Sequence, residues 1–407
     1  MSPSQIETDP VRAGFDPERL QRLDRHFATY VTDGKLPGWQ VLIARRGHIA
    51  HLSSHGHRDV ATAAPIEDDT IFRIYSMTKP ITSVAAMMLY EEGAFELTDP
   101  VSTLIPSFAD QRVYTGGPAR AAQTRPATEP VRIWHLLTHT AGLTYGFNRL
   151  HPVDELYRRT GYDYGTPDQD LAAVCDDYAA MPLLFEPGSS WNYGVSTDVL
   201  GRVVEVASGM GLDEFFRTRI FEPLGMTDTA FTVAPQDKDR LASLYLADAA
   251  GKATVPRNSP PDAAPRALSG GGGLVSTAYD YHRFTGMLLG GGALDGVRLL
   301  SDRTLRYMSR NHLPGGAHLD EIANGSFSEV ANAGKGFGLG FAVVEDPVAS
   351  HVVATPGELS WGGMASTAFW VDPAEDLSVQ FFTQLIPSGT HPIRSQLHQL
   401  VYQALVD

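Results

Sequence analysis

Apolar residues recur at helical spacing near the start of the chain, where Leu20, Leu23, Phe27, Tyr30 and Val31 fall on one face. Asp16-Pro17 precedes them, a capping acid and then a proline for the first helical turn, so the pattern predicts a helix from Pro17. The period then shortens. Trp39 to Ala44 reads as a strand, Arg46-Gly47 as its turn, and His48 to Leu52 as a hairpin partner. The far end of the chain repeats this grammar. Phe337 to Val344, Ala365 to Val371 and Leu377 to Thr383 read as strands, with Asp372-Pro373 opening the turn between the last two. A closing helix carries Ile393, Leu397, Leu400, Val401 and Leu405 on one face.

Between these ends the patterns are mostly helical, broken by Pro- and Gly-rich stretches such as Thr115 to Pro130 and Arg257 to Pro265. The expected organisation is a sheet drawn from both chain ends with helices packed on it. Residues 1–85 and 265–407 form this discontinuous domain, and residues 86–264 a mostly helical inserted one. A cleft between two such bodies is a common ligand site.

Length supports that division, since 407 residues exceed one ordinary core. The composition is that of a soluble globular chain, 43% apolar and 19% charged. A net charge of −15 argues against binding nucleic acid or an anionic membrane through bulk charge. One cysteine, Cys175, cannot form an internal disulfide. The polar, acid-bearing start does not read as a signal peptide, and no apolar run is long enough for a membrane span. The expected location is cytoplasmic.

Candidate chemistry begins at Ser76-Met77-Thr78-Lys79. Residues three apart on a helix share a face, so a hydroxyl and an amine can meet there, which is what an activated nucleophile needs. Ile81, Val84, Ala85, Met88 and Leu89 continue a helical stripe towards Gly93, and Pro80 requires the helix to start close to Ser76. Ser76 therefore lies at a helix N-terminus, which favours developing negative charge. A second segment, Asn192-Tyr193-Gly194-Val195, follows a turn and precedes a helix. Tyr193 can relay a proton there if a nearby cation lowers its pKa. A third, Ser360-Trp361-Gly362-Gly363-Met364, places two glycines before a strand. The backbone N–H groups of Ser76 and Met364 are candidates for an oxyanion hole.

These segments in this order resemble the serine β-lactamase and penicillin-binding-protein superfamily, and within it the family VIII carboxylesterases related to class C β-lactamases. The matching stretches are Ile74 to Lys79, His135 to Leu143, Pro187-Gly188 to Tyr193, Phe221 to Met226, Gly271 to Asp280, Gly336 to Phe341 and Trp361 to Gly363. The resemblance implies an α+β, β-lactamase-like fold, with an antiparallel sheet flanked by helices beside a mostly helical second domain. It implies Ser76 as nucleophile, with Lys79 and Tyr193 sharing the base work. Tyr145, Val195, Trp361, Gly362 and Gly363 would line the substrate site. It implies a small-molecule ester substrate and no cofactor or metal.

Two departures from the β-lactamase pattern point to esters. Trp361 stands where a basic residue commonly pairs with a substrate carboxylate, and Val195 where Asn or Ser commonly meets a substrate amide. The expected activity is hydrolysis of short- to medium-chain acyl esters, with weak β-lactam hydrolysis. The alternatives are acyl transfer on the same scaffold, a β-lactamase or D-aminopeptidase-like hydrolase, and a non-enzymatic penicillin-binding-like protein.

Other motifs fall away. His135 and His139 have zinc spacing but lack the intervening glutamate and an obvious third ligand. Gly336 to Gly340 continues into a strand rather than a helix, so it is not a dinucleotide loop. Gly194-Val195-Ser196-Thr197-Asp198 fails the nucleophile-elbow pattern at its last position.

Overall fold

The computed structural model describes residues 5–163, 165–254, 265–325 and 328–407. Most of the Arg257 to Pro265 stretch lies outside them. Helix α1 (Pro17–Thr32) starts as expected, with the Asp16 carboxylate accepting the N–H groups of Glu18 and Arg19. Strands β1 (Gly38–Arg45), β2 (His48–Asp59) and β3 (Ala64–Pro65) follow. Strands β4 (Lys335–Phe337), β5 (Ala342–Val344), β6 (Leu359–Gly362), β7 (Ala368–Asp372) and β8 (Leu377–Phe382) come from the other end. Together they make one eight-stranded sheet in the order β4-β5-β6-β7-β8-β1-β2-β3. Every neighbouring pair in it is antiparallel.

Alternation along the strands gives each face its own core. Trp39, Val41, Ile43, Trp370, Val379 and Phe381 pack outward against Leu23 and Phe27 of α1 and Leu397 and Val401 of the closing helix (Ile393–Tyr402). Leu42, Phe369, Val371 and Phe382 face inward, towards Thr78–Glu91 (α2), Ser196–Ser208 (α3) and Ala278–Leu289 (α4). The closing helix is α5. Helix α2 is buried from Thr78 to Leu89, so the sequence stripe understates it: it is a central helix covered all round. Among the described residues no helix is long and apolar enough to cross a membrane.

Three expectations need correction. The Phe337 to Val344 strand is a hairpin, β4 and β5, because the Gly338 N–H donates to Phe341 O (2.8 Å) and Gly340 takes φ +108°. The strand expected from Ala365 begins only at Ala368, since the Gly363 N–H donates to Thr367 O (3.0 Å) and closes a tight turn. Thr115 to Pro130 is not simply a loop: Arg112–Gly116 pairs antiparallel with Gln123–Pro126.

Candidate active site

Ser76 sits in a single 3₁₀ turn, Tyr75–Met77, that runs into α2. The residue before it, Tyr75, has φ +44°, a conformation that costs a non-glycine residue about 1–3 kcal/mol. Such strain persists only where packing imposes it, and here it turns the chain sharply at Ser76. The following helical turn brings Lys79 back beneath Ser76. The Lys79 Nζ donates to Ser76 Oγ (3.3 Å), Tyr145 Oη (3.0 Å) and Gly271 O (2.6 Å). Burial lowers the Lys79 pKa to about 8, against the opposing pull of the Asp198 and Glu329 carboxylates. A part of the population is then neutral near physiological pH, with a lone pair free for the Ser76 proton.

Tyr193 follows the turn before α3 and is fully buried. Its phenol shares a hydrogen bond with Ser76, and its oxygen accepts the Trp361 Nε1–H (3.4 Å). The expected cation-lowered pKa is not found. Burial first, then Glu329 and Asp198, hold the phenol well above its usual range. Lys79 Nζ stands over the Tyr193 ring, 4.6 Å from its centroid, and burial outweighs it. Tyr193 is therefore a neutral phenol, suited to passing a proton rather than to holding a negative charge.

The cavity above Ser76 has a volume of about 260 Å³ and includes Tyr75, Tyr145, Phe147, Tyr193, Val195, Asp198, Glu329 and Met364 in its wall. Tyr145, expected in the substrate pocket, also accepts a hydrogen bond from Lys79 Nζ. Its ring stacks on Phe147 at 4.7 Å and meets Tyr193 edge-on at 5.4 Å. Val195 is the first residue before α3 and lines the cavity as expected. Met364 lies on the turn between β6 and β7, where its carbonyl accepts the Ser388 N–H (2.9 Å).

Trp361, Gly362 and Gly363 are absent from the cavity wall among the described residues. The Trp361 indole is turned into the inner core, 5.3 Å from both Tyr193 and Phe337, so it backs the tyrosine and does not face the cavity. The glycines make room behind the wall. A Cβ on Gly362 would stand 2.2 Å from the Arg394 guanidinium, and one on Gly363 2.4 Å from Ile74 O. Arg394 uses that room to donate to Thr367 O (3.2 Å), Gly363 O (3.4 Å) and the Glu329 carboxylate (2.6 Å), clamping the turn that carries Met364.

Asp198, Gly271, Glu329 and Arg394 were not singled out from the sequence. Asp198 is buried, accepts from Ser269 Oγ (2.5 Å) and the Gly271 N–H (3.1 Å), and burial raises its pKa despite Lys79. A Cβ on Gly271 would fall 2.5 Å from Asp198 Oδ2, so glycine is what lets the two segments close beside Lys79. The signals were present: the Gly270 to Gly273 run, and Asp198 ending the failed elbow string. His135 and His139 separate in use. His135 Nδ1 accepts the Arg132 N–H (2.9 Å), whereas the buried His139 ring packs 5.0 Å from Tyr193 and is kept neutral by burial and by Lys79. Among the described residues, the stretch from Leu313 to Lys335 supplies Glu329 to the wall, while Thr115 to Pro130 adds nothing to it.

The Beta-lactamase family model matches residues 23–403. An uncharacterised Mycobacterium tuberculosis protein is 37% identical over 359 residues, 87% of each chain. Esterase EstB of Burkholderia gladioli is 32% identical across 97% of this chain and 98% of its own. Among solved structures, EstCE1, described as a hydrolase with promiscuous acyltransferase activity, superposes with a TM-score of 0.79 at 28% identity, covering 95% of this chain and 98% of its own.

Proposed function

This chain belongs to the beta-lactamase family, and from that premise we propose that it is a serine carboxylesterase of the family VIII type, acting on short- to medium-chain acyl esters. The observation that carries the reading is Lys79 Nζ held against Ser76 Oγ inside a buried site, with Tyr193 on the same hydroxyl. Neutral Lys79 takes the Ser76 proton as Oγ attacks the ester carbonyl. The N–H groups of Ser76 and Met364 receive the oxyanion. The Tyr193 phenol gives its proton to the departing alkoxide, and the proton on Lys79 replaces it. Water then attacks the acyl carbon as neutral Lys79 takes its proton, the Ser76 Oγ–acyl bond breaks, and that proton returns to Oγ as the acid leaves. Acyl transfer needs only another alcohol in place of that water, which EstCE1's description as a promiscuous acyltransferase favours as the second reading.

The cavity wall supports esters over β-lactams. Among its described residues it carries Asp163, Asp198 and Glu329 and no lysine, arginine or histidine, so a penicillin carboxylate meets like charge there. The division into residues 1–85 with 265–407 and 86–264 belongs to the same proposal, as does a cytoplasmic location. The sheet strands at both chain ends support the first, and the lone buried Cys175 the second. The test is a hydrolysis screen of acyl esters from acetyl to long chain, with nitrocefin included, on the native protein and Ser76→Ala. Short-chain esters should turn over and the variant should be inactive. Full activity in the variant, or nitrocefin as the preferred substrate, would sink the reading.

A further inference from the structure

A second cavity, of about 440 Å³, lies behind the catalytic wall, between the loop before β4, strand β6 and the start of α5. Lys335 lines it and is 8% exposed. Among the described residues its ammonium has neither a hydrogen bond nor an ion pair. The acids nearby are already engaged. Glu358 accepts from Tyr402 Oη (2.9 Å) and shares a hydrogen bond with His398 Nε2 (2.9 Å). Glu329 Oε2 accepts from Arg394 (2.6 Å) and Ser388 Oγ (2.9 Å), while its Oε1 is left without a partner. The buried Ser360 Oγ, in the same wall, also lacks a partner. Ile393, Arg394 and Ser395, the first turn of α5, open onto the cavity, and Pro392 supplies no side-chain cap to that helix. An ammonium and a hydroxyl without hydrogen-bond partners thus line one cavity together with the uncapped first turn of α5.

We infer that this cavity binds a small organic carboxylate, its oxygens on Lys335 Nζ, Ser360 Oγ and the first turn of α5. Val330, Val352 and Ala368 in the wall suit a short carbon chain. The Lys335 ammonium feels the Glu358 carboxylate without a hydrogen bond to it, so it suits a monoanion, whereas a phosphate dianion would bring unmatched charge into a largely apolar space. The site is separate from the ester chemistry and does not depend on it.

Calorimetric titration of the full chain as Ser76→Ala, with hexanoate, hexanamide and inorganic phosphate, tests this. Hexanoate should bind one to one, with hexanamide and phosphate at least about tenfold weaker. Adding Lys335→Met should weaken hexanoate by at least about tenfold, and Ser360→Ala by severalfold. Lys335→Gln serves if the methionine variant does not fold. The inference is overturned by the absence of saturable hexanoate binding, by equal affinity in the Lys335 variant, or by hexanamide or phosphate binding as tightly.

Discussion

Lys79 on α2 and Lys335 on β4 are both buried, and burial pulls both below the ordinary lysine range. Their surroundings differ. Lys79 has three oxygens within 3.3 Å and two carboxylates acting on it from further away, so its ammonium and its amine are both accommodated. Lys335 has a cavity in front of it and no acceptor among the described residues. Burial alone therefore lowers a lysine pKa without making a base. What suits Lys79 to the proposed role of base is a hydroxyl at its nitrogen, together with acceptors that let it take up a proton and hand it on.

The sharpest way to break that contrast is Lys79→Met. It should lower kcat/KM on a chromogenic butyrate ester by about 10³–10⁴-fold, the loss expected when a nucleophile loses its general base. A residual rate within about tenfold of the native one would mean that Tyr193 alone activates Ser76. Tyr193→Phe comes next. It keeps the ring packed on His139 and Trp361 and removes only the oxygen, so kcat should fall by about 10²-fold with KM and melting temperature nearly unchanged. A drop in melting temperature with kcat intact would make the tyrosine a packing residue.

The third test moves the pH profile. Activity needs neutral Lys79, so it should rise with pH through about 8. The groups acting on this lysine are Asp198 and Glu329, with Tyr145, Tyr193 and His139 around it. Asp198→Asn removes a charge that favours the ammonium, and the rising limb should move to lower pH by about half to one unit. No shift would show that Asp198 serves only to hold Gly271 in place.

How far this contrast was legible in the sequence depends on the range of each interaction. Ser76 and Lys79 are neighbours by helix geometry, so spacing was enough to pair them. Tyr193 needed the ordered set of later segments. Asp198, Gly271 and Glu329 reach Lys79 only through tertiary approach, and no local period marks that. The strands were legible where alternation was long, as at Leu377–Phe382, and misjudged where glycines turn the chain inside an apolar run, as between Phe337 and Ala342. Trp361 was read as lining the substrate site from the resemblance alone; it lies on β6, where alternation with Ser360 and Gly362 turns the indole inward behind Tyr193.

The smallest effect is the stability change on Lys335→Met, and its sign separates the two lysines. Burial disfavours the charged form of Lys335, so its folded-state pKa lies below the unfolded one. Between those two values the unfolded chain binds the extra proton and stability rises with pH. Below the folded value the full cost of the buried ammonium is felt, and above the unfolded lysine range, about 10.4, it disappears. Methionine fills similar volume without the charge. The variant should therefore unfold at higher urea concentration near neutral pH, by about 1 kcal/mol with unchanged m, and the gain should shrink as the pH approaches 10. A saturating carboxylate should erase the same gain by stabilising only the native protein. A loss of stability at neutral pH without added ligand would instead mean that Lys335 already has an acceptor within the fold, and the contrast with Lys79 would collapse.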